Sequence, residues 1–150
     1  GTESEKLKFI FHYLTLVLLN TKKWHAEQNL LETNASKSIA LSKTFGYLLE
    51  RHFFEIATQN AEKILAVSDF AEKLNVSPNY LSDTVKKETG KTPTQIIKER
   101  TILEAKSLLR NTELTVSEVA YFLTFDDPSY FAKYFKSATG ISPSDFKAQK

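Results

Sequence analysis

A punctuation pattern of proline and glycine, written twice at a spacing of 50 residues, constrains this chain more than any other feature. Pro78 answers to Pro128, Gly90 to Gly140 and Pro93 to Pro143. All four prolines of the chain belong to the pattern, and they follow Ser77, Thr92, Asp127 and Ser142. A small polar residue before proline marks a helix start. Its side chain can accept a free backbone N–H, and proline fits the first helical position, where its missing N–H costs nothing. A glycine at the far end is the matching stop, because it takes the left-handed conformation without a Cβ clash. Helices are therefore predicted to open at Pro78, Pro93, Pro128 and Pro143, with stops at Gly90 and Gly140.

The residues between these marks repeat as well. VSDFAEKLNVSPNYLSDTVKKETGKTPTQI set over VSEVAYFLTFDDPSYFAKYFKSATGISPSDF pairs Tyr80, Leu81 and Val85 with Tyr130, Phe131 and Phe135. Ala71 pairs with Ala120 and Leu74 with Leu123 at a spacing of 49, so the second copy has one extra residue in its turn. Thr115 with Glu118 forms a capping box, and so does Thr92 with Gln95. Each copy reads as a short helix, a tight turn and a longer helix, which is a helix-turn-helix, over residues 67–90 and 115–140. Between them a helix over 93–110 carries Ile96, Ile97, Ile102, Ala105, Leu108 and Leu109 on its apolar side. About 17 residues of helix span roughly 25 Å. A rod of that length would hold two readers near one turn of DNA apart, about 34 Å.

Upstream, residues 4–21 predict a helix whose apolar residues (Leu7, Phe9, Ile10, Phe11, Tyr13, Leu14, Leu16, Val17, Leu18 and Leu19) cover more than one face. Two readings stand: a helix packed within this chain, or a dimerisation or interdomain helix from an upstream domain. The run Phe9 to Leu19 is short of the roughly 20 residues a membrane span needs, and Glu3 and Glu5 do not suit a signal peptide. The second half of 21–36 reads as a loop. A helix follows from about Ser36 to Phe54, with Leu41, Phe45, Leu48, Leu49 and His52 on one face. Gly46 inside it costs about 1 kcal/mol relative to alanine unless close packing requires it. Residues 55–66 are either a short helix near Ala61 to Leu65 or an irregular linker. The division is thus residues 1–35 as the end of an upstream region and residues 36–150 as a binding domain. The absence of methionine and the start at Gly1 point to a piece of a longer protein.

Charge adds local information only, because the formal net charge is +2. Lys86, Lys87, Lys91, Lys98, Arg100, Lys106 and Arg110 crowd the first reading helix and the rod, and Lys133, Lys136, Lys147 and Lys150 follow the second. Such clusters can neutralise phosphates, or can simply form a solvated face. If Tyr80, Leu81, Thr84 and Val85 pack inward, Asn79, Ser82, Asp83 and Lys86 point outward. The same division exposes Ser129, Ala132, Lys133 and Lys136 on the second helix. Asn can read adenine and Lys guanine. Lys86, Lys87, Lys91 and Lys136 suit phosphate rather than base contact. Asp83 can accept from cytosine or pair with Lys86 or Lys87, and pairing is the favoured expectation. Cysteine is absent, and His12, His25 and His52 lack metal-ligand spacing or a nucleophile partner. No metal, cofactor or enzymatic activity is expected.

The segments FAEKLNVSPNYLSDTVKKETGKTP, EAKSLLRNTELTVSEVAYFL and FDDPSYFAKYFKSATGISPSDF resemble the AraC/XylS family of bacterial transcription regulators over about Val67 to Lys147. The resemblance implies an all-α fold of two helix-turn-helix subdomains joined by a long linker helix and preceded by additional helices. It implies a sequence-specific transcription regulator that reads two successive major grooves of double-stranded DNA. Asn79, Ser82, Asp83, Ser129, Tyr130 and Lys133 match the family's base-facing positions. Two departures stand out: Thr124 where the family has glycine, and Asp83 where arginine is frequent. Relatives carry an upstream domain that senses a small molecule and dimerises. The expected partners therefore extend to RNA polymerase and to a second copy through residues 4–31, in the cytoplasm and without a membrane. The alternative is a helical protein-interaction module without DNA readout.

Overall fold

The capping signals of the sequence are the hydrogen bonds that start the helices. The computed structural model describes residues 3–28 and 34–149, with the side chains of 23–28 and 34 outside the description. Among the described residues the chain is all-α, with eight helices: α1 (Glu3–Gln28), α2 (Asn34–Ala57), α3 (Val67–Lys73), α4 (Pro78–Thr89), α5 (Pro93–Asn111), α6 (Val116–Phe122), α7 (Pro128–Thr139) and α8 (Pro143–Ala148). The Tyr80 N–H donates to Ser77 Oγ at 3.1 Å to open α4, and the Ser129 N–H donates to Asp127 Oδ1 at 2.9 Å to open α7. Thr92 and Gln95 close a reciprocal box at the start of α5, as Thr115 and Glu118 do for α6.

The two turns share one frame. After α3, Asn75 takes φ +55°, and the Val76 N–H donates back to the Ala71 carbonyl at 3.0 Å. After α6, Thr124 takes φ +67°, and the Phe125 N–H donates to the Ala120 carbonyl at 2.9 Å. This is the helix-ending motif that satisfies orphan carbonyls through one left-handed residue. Asparagine tolerates that conformation, whereas β-branched threonine is strained in it. The extra residue of the second turn is Asp126, between Phe125 and the cap at Asp127. Gly90 and Gly140 end α4 and α7 at φ +79° and +82°, each donating its N–H 2.8 Å to the carbonyl of Lys86 or Lys136. Thr89 and Thr139 bridge these stops in the same way, each hydroxyl donating to a helix carbonyl four residues back.

The repeating unit in space is three helices, one more than the sequence pattern marks. Behind α3 and α4 lies α2, whose Phe45, Leu49, Phe53 and Ile56 are buried in one core with Phe70, Ala71, Leu81 and Val85. Behind α6 and α7 lies the rod itself: Ala105 and Leu109 of α5 are buried with Val119, Leu123, Phe131 and Phe135. Phe146 of α8 closes this side, its ring 5.5 Å from that of Phe135. Burying a large apolar side chain contributes about 1.5–3 kcal/mol, so each reading helix is held from behind by its aromatic and aliphatic stripe. The rod therefore separates the readers and forms the back wall of the second.

Several boundaries differ from expectation. α1 runs to Gln28, beyond Thr21, because no glycine or proline interrupts the helix-forming residues that follow. The loop expected in the second half of 21–36 falls largely on residues 29–33, outside the described residues. α2 ends at Ala57, and Gln59 at φ +59° turns the chain away from it. Residues 58–66 form no helix and run as a linker whose Ala61, Ile64 and Leu65 pack against the core. A Cβ on Gly46 would meet nothing within 4 Å, so close packing does not require that glycine. Most of α1 is exposed, with Phe11 at 74%. Tyr13 is half-buried, its ring 5.1 Å from that of Phe54 on α2.

Candidate nucleic-acid interface

The outward side of α4 carries Asn79, Asp83, Lys86 and Lys87, all exposed, while Leu81, Thr84 and Val85 are buried. Ser82 is half-buried at the margin. Tyr80 corrects the expectation that it packs inward: it is 51% exposed. It stands in the first turn of α4, exposed like its neighbour Asn79. The expected pairing of Asp83 with Lys86 or Lys87 is also corrected. Among the described residues Asp83 makes no ion pair, and its carboxylate stands at the centre of the outward side.

The outward side of α7 carries Ser129, Tyr130, Lys133 and Lys136, with Tyr130 at 60% exposure and Ala132 half-buried. Tyr130 is braced by Phe125 at 6.0 Å and Tyr134 at 6.4 Å between ring centroids. Tyr134 turns toward α5, where burial raises its pKa and the Thr101 side chain partly offsets the rise. The position that Asp83 holds on α4 belongs to Lys133 on α7.

The basic residues divide by what they touch. Arg100 is taken up inside the fold: it pairs with Glu50 at 2.9 Å and Glu104 at 2.7 Å and stacks on Phe53 at 4.6 Å. Desolvation pulls its pKa down, but the hydrogen bonds and charges of Glu50 and Glu104 together outweigh this and leave the pKa raised. Lys91 pairs with Glu99 at 2.7 Å. Lys106 and Arg110 lie over the Phe146 ring, and Lys147 donates to the Thr112 and Leu114 carbonyls at the end of the rod. Lys86, Lys87, Lys133 and Lys136 remain exposed with no ion pair among the described residues. Arg100 is held by two carboxylates within the fold, whereas the Lys91–Glu99 pair is exposed on both sides and so only weakly tied, which leaves Lys91 able to exchange partners. Lys86, Lys87, Lys133 and Lys136 thus place unpaired positive charge along the outward sides of α4 and α7.

His52 is 4% exposed and belongs to the core behind α3, edge-on to Phe70 at 6.1 Å. Its Nε2 accepts the Leu65 N–H at 3.1 Å, so the neutral ring pins the linker, and burial lowers its pKa. No group of His, Asp or Glu among the described residues could hold a metal ion, and no described helix is long and apolar enough to cross a membrane.

Two capped helix pairs, each presenting the polar side of its second helix and both fixed to one rod, define a helix-turn-helix DNA-binding protein. A family model described as a helix-turn-helix domain matches residues 70–149. The arabinose operon regulatory protein of Salmonella typhimurium is 31% identical over 93 residues, 62% of this chain and 33% of that protein. The C-terminal domain of AraT, a response regulator from Geobacillus stearothermophilus, superposes with a TM-score of 0.64 at 30% identity, over 73% of this chain and 85% of that one. The DNA-binding domain of AdpA, solved in complex with a target DNA, shares the fold with a TM-score of 0.59 at 23% identity, over 73% and 90% of the two chains. The chain belongs to the AraC/XylS family of transcription regulators and carries its DNA-binding domain. Family and fold are those of DNA-binding regulators rather than of enzymes. The chain spans 12%, 53%, 8% and 33% of the length of four curated relatives it matches.

Proposed function

We propose that the chain binds DNA sequence-specifically, with α4 and α7 entering successive major grooves on one side of the duplex. The observation that carries this reading is the frame the two copies share. A cap, a left-handed turn and a glycine stop position each reading helix, and both helices pack on α5. At 19 residues α5 is about 28 Å long at the usual rise, a length suited to two readers one helical turn apart. Base contacts are assigned to Asn79, Ser82, Asp83, Ser129, Tyr130 and Lys133, joined by Tyr80 on account of its exposure. Phosphate contacts are assigned to Lys86, Lys87, Lys91 and Lys136. Fluorescence anisotropy at several salt concentrations, with a duplex enriched from a random pool and with its scrambled form, tests the reading. It predicts tight, salt-dependent binding to the first and weaker binding to the second; equal binding to both would leave only a nonspecific binder.

A division near residue 35 is part of the same proposal, with residues 1–35 ending an upstream region and 36–150 forming the DNA-binding unit. The exposed Leu7, Phe9, Phe11, Leu18 and Leu19 of α1 favour pairing of residues 4–31 with a second copy. A strict monomer by sedimentation at high concentration would remove that pairing. The DNA-bound chain would then act through RNA polymerase in the bacterial cytoplasm. Transcription in vitro with purified polymerase, from a promoter carrying the enriched site, tests that step. A transcript level unchanged by the chain would contradict it.

A further inference from the structure

The two reading helices differ in their cations, and the rod supplies what the second lacks. At the spacing of 50, Lys86 answers to Lys136, but Lys87 answers to Ser137. By its own sequence α7 is therefore one cation short of α4 at this end. In the structure Lys98 of α5 reaches that position: its Nζ donates to Ser137 Oγ at 3.0 Å and lies over the Tyr134 ring at 5.1 Å. Ser137 Oγ in turn donates to the Tyr134 carbonyl at 2.8 Å, which orients its lone pairs toward the lysine. Ser137 is exposed and lies one turn beyond Lys133, on the same side of α7.

We propose that Lys98 is a phosphate-binding residue of the second reader, supplied by the rod and occupying the role that Lys87 has in the first. The proposal rests on the DNA-binding reading above. An ammonium has three N–H donors. Ser137 accepts one, and the others stay available to an anion. Among the described residues no carboxylate lies within ion-pair distance of Lys98, unlike Lys91 and Arg100, so its charge is not neutralised within the fold. The Tyr134 ring and Ser137 Oγ hold the ammonium in place, so little side-chain freedom is left to lose when a phosphate arrives.

A purely structural tie between α5 and α7 makes different predictions from a phosphate contact. Lys98→Met keeps an apolar stem against Tyr134 and removes only the charge. Anisotropy titrations over a salt series would use a duplex enriched from a random pool by the wild-type chain, with thermal melts by circular dichroism alongside. Lys98→Met should weaken binding roughly threefold to tenfold and lower the magnitude of the slope of log K against log salt by about 0.9, the value for one phosphate contact. The melt should stay close to wild type. Adding Ser137→Lys, which puts the cation on α7 itself, should restore both affinity and slope. A Lys98→Met variant with wild-type affinity and slope overturns the proposal and leaves the DNA reading intact. So does a loss of affinity with an unchanged slope that Ser137→Lys does not repair. A wild-type chain that enriches no duplex and binds none at low salt overturns both.

Discussion

The first reader, α3 with α4, and the second, α6 with α7, have the same backbone and opposite chemistry. Their turns and glycine stops match hydrogen bond for hydrogen bond, while the caps differ in detail: Ser77 accepts from the third residue on and Asp127 from the second. Yet the centre of the outward side is a carboxylate at Asp83 in one and an ammonium at Lys133 in the other. The first is backed by a separate helix, α2, tied to it where Ser38 donates to Glu88 at 2.8 Å; the second is backed by the rod, which also lends it Lys98. The two copies share one frame while their outward surfaces differ. The comparison implies that α7 carries more of the recognition energy than α4.

Removing Lys133 should break this asymmetry most strongly. Lys133→Ala is expected to cost about 1–3 kcal/mol of specific binding, the range of one good base contact, and much less on scrambled DNA. Lys136→Ala should weaken both complexes alike, because a phosphate contact carries no sequence information. Parallel titrations of the two variants on the two duplexes check the division.

The turns supply the next contrast, read in stability rather than binding. Thr124 holds a left-handed backbone with a β-branched side chain, and its Oγ1 is buried with no hydrogen-bond partner among the described residues. Thr124→Gly should stabilise the fold by about 1 kcal/mol, strain relief exceeding the added entropy of the unfolded chain. Asn75→Gly should change it by only a few tenths, roughly, since asparagine already tolerates that conformation. Urea denaturation of both variants measures the difference.

Asp83→Asn sharpens the comparison from the other side. On the proposed docking the unpaired carboxylate also repels the nearby phosphates, and removing it should raise affinity by roughly twofold to fivefold on any duplex. If Asp83 instead accepts from a cytosine, the variant loses discrimination at one position, which re-enrichment from the random pool would show.

The smallest effect concerns pH and belongs to the first half alone. Burial holds the folded-state pKa of His52 below its ordinary value of 6.5, with Glu55 pulling it up and Lys73 adding to the depression. Its contribution is complete above the unfolded pKa, declines as the pH falls through it, and is lost once the pH passes the lower folded value. Protonation also costs the Leu65 N–H its acceptor on Nε2. Hydrogen exchange at acid pH should show α2, the linker and α3 opening before α6 to α8. Uniform opening would contradict this assignment.

The frame was legible because its signals are local. A polar cap and its proline are adjacent, a capping box spans three residues, and a glycine stop acts on its own backbone. These features gave the helices from α4 to α8, and the repeat gave their architecture. The cations were not legible, because their partners are distant: Arg100 meets Glu50 across 50 residues, and Lys98 meets Ser137 across 39. A row of lysines in the sequence does not say which charges the fold consumes. Tyr80 departs from what its apolar spacing suggests: it is exposed although Leu81, Thr84 and Val85 beside it are buried. The full length of α1 was missed for want of any stop residue.

The central claim is that two readers at a fixed spacing bind DNA and that the second dominates. Hydroxyl-radical footprinting of the chain on its enriched duplex, with and without Lys133→Ala, tests it most directly. The account predicts two protected patches on one side of the duplex, about 10 base pairs apart. The patch with the stronger sequence requirement should fade in the variant while the other persists. A single patch, or loss of the patch with the weaker requirement, would contradict it.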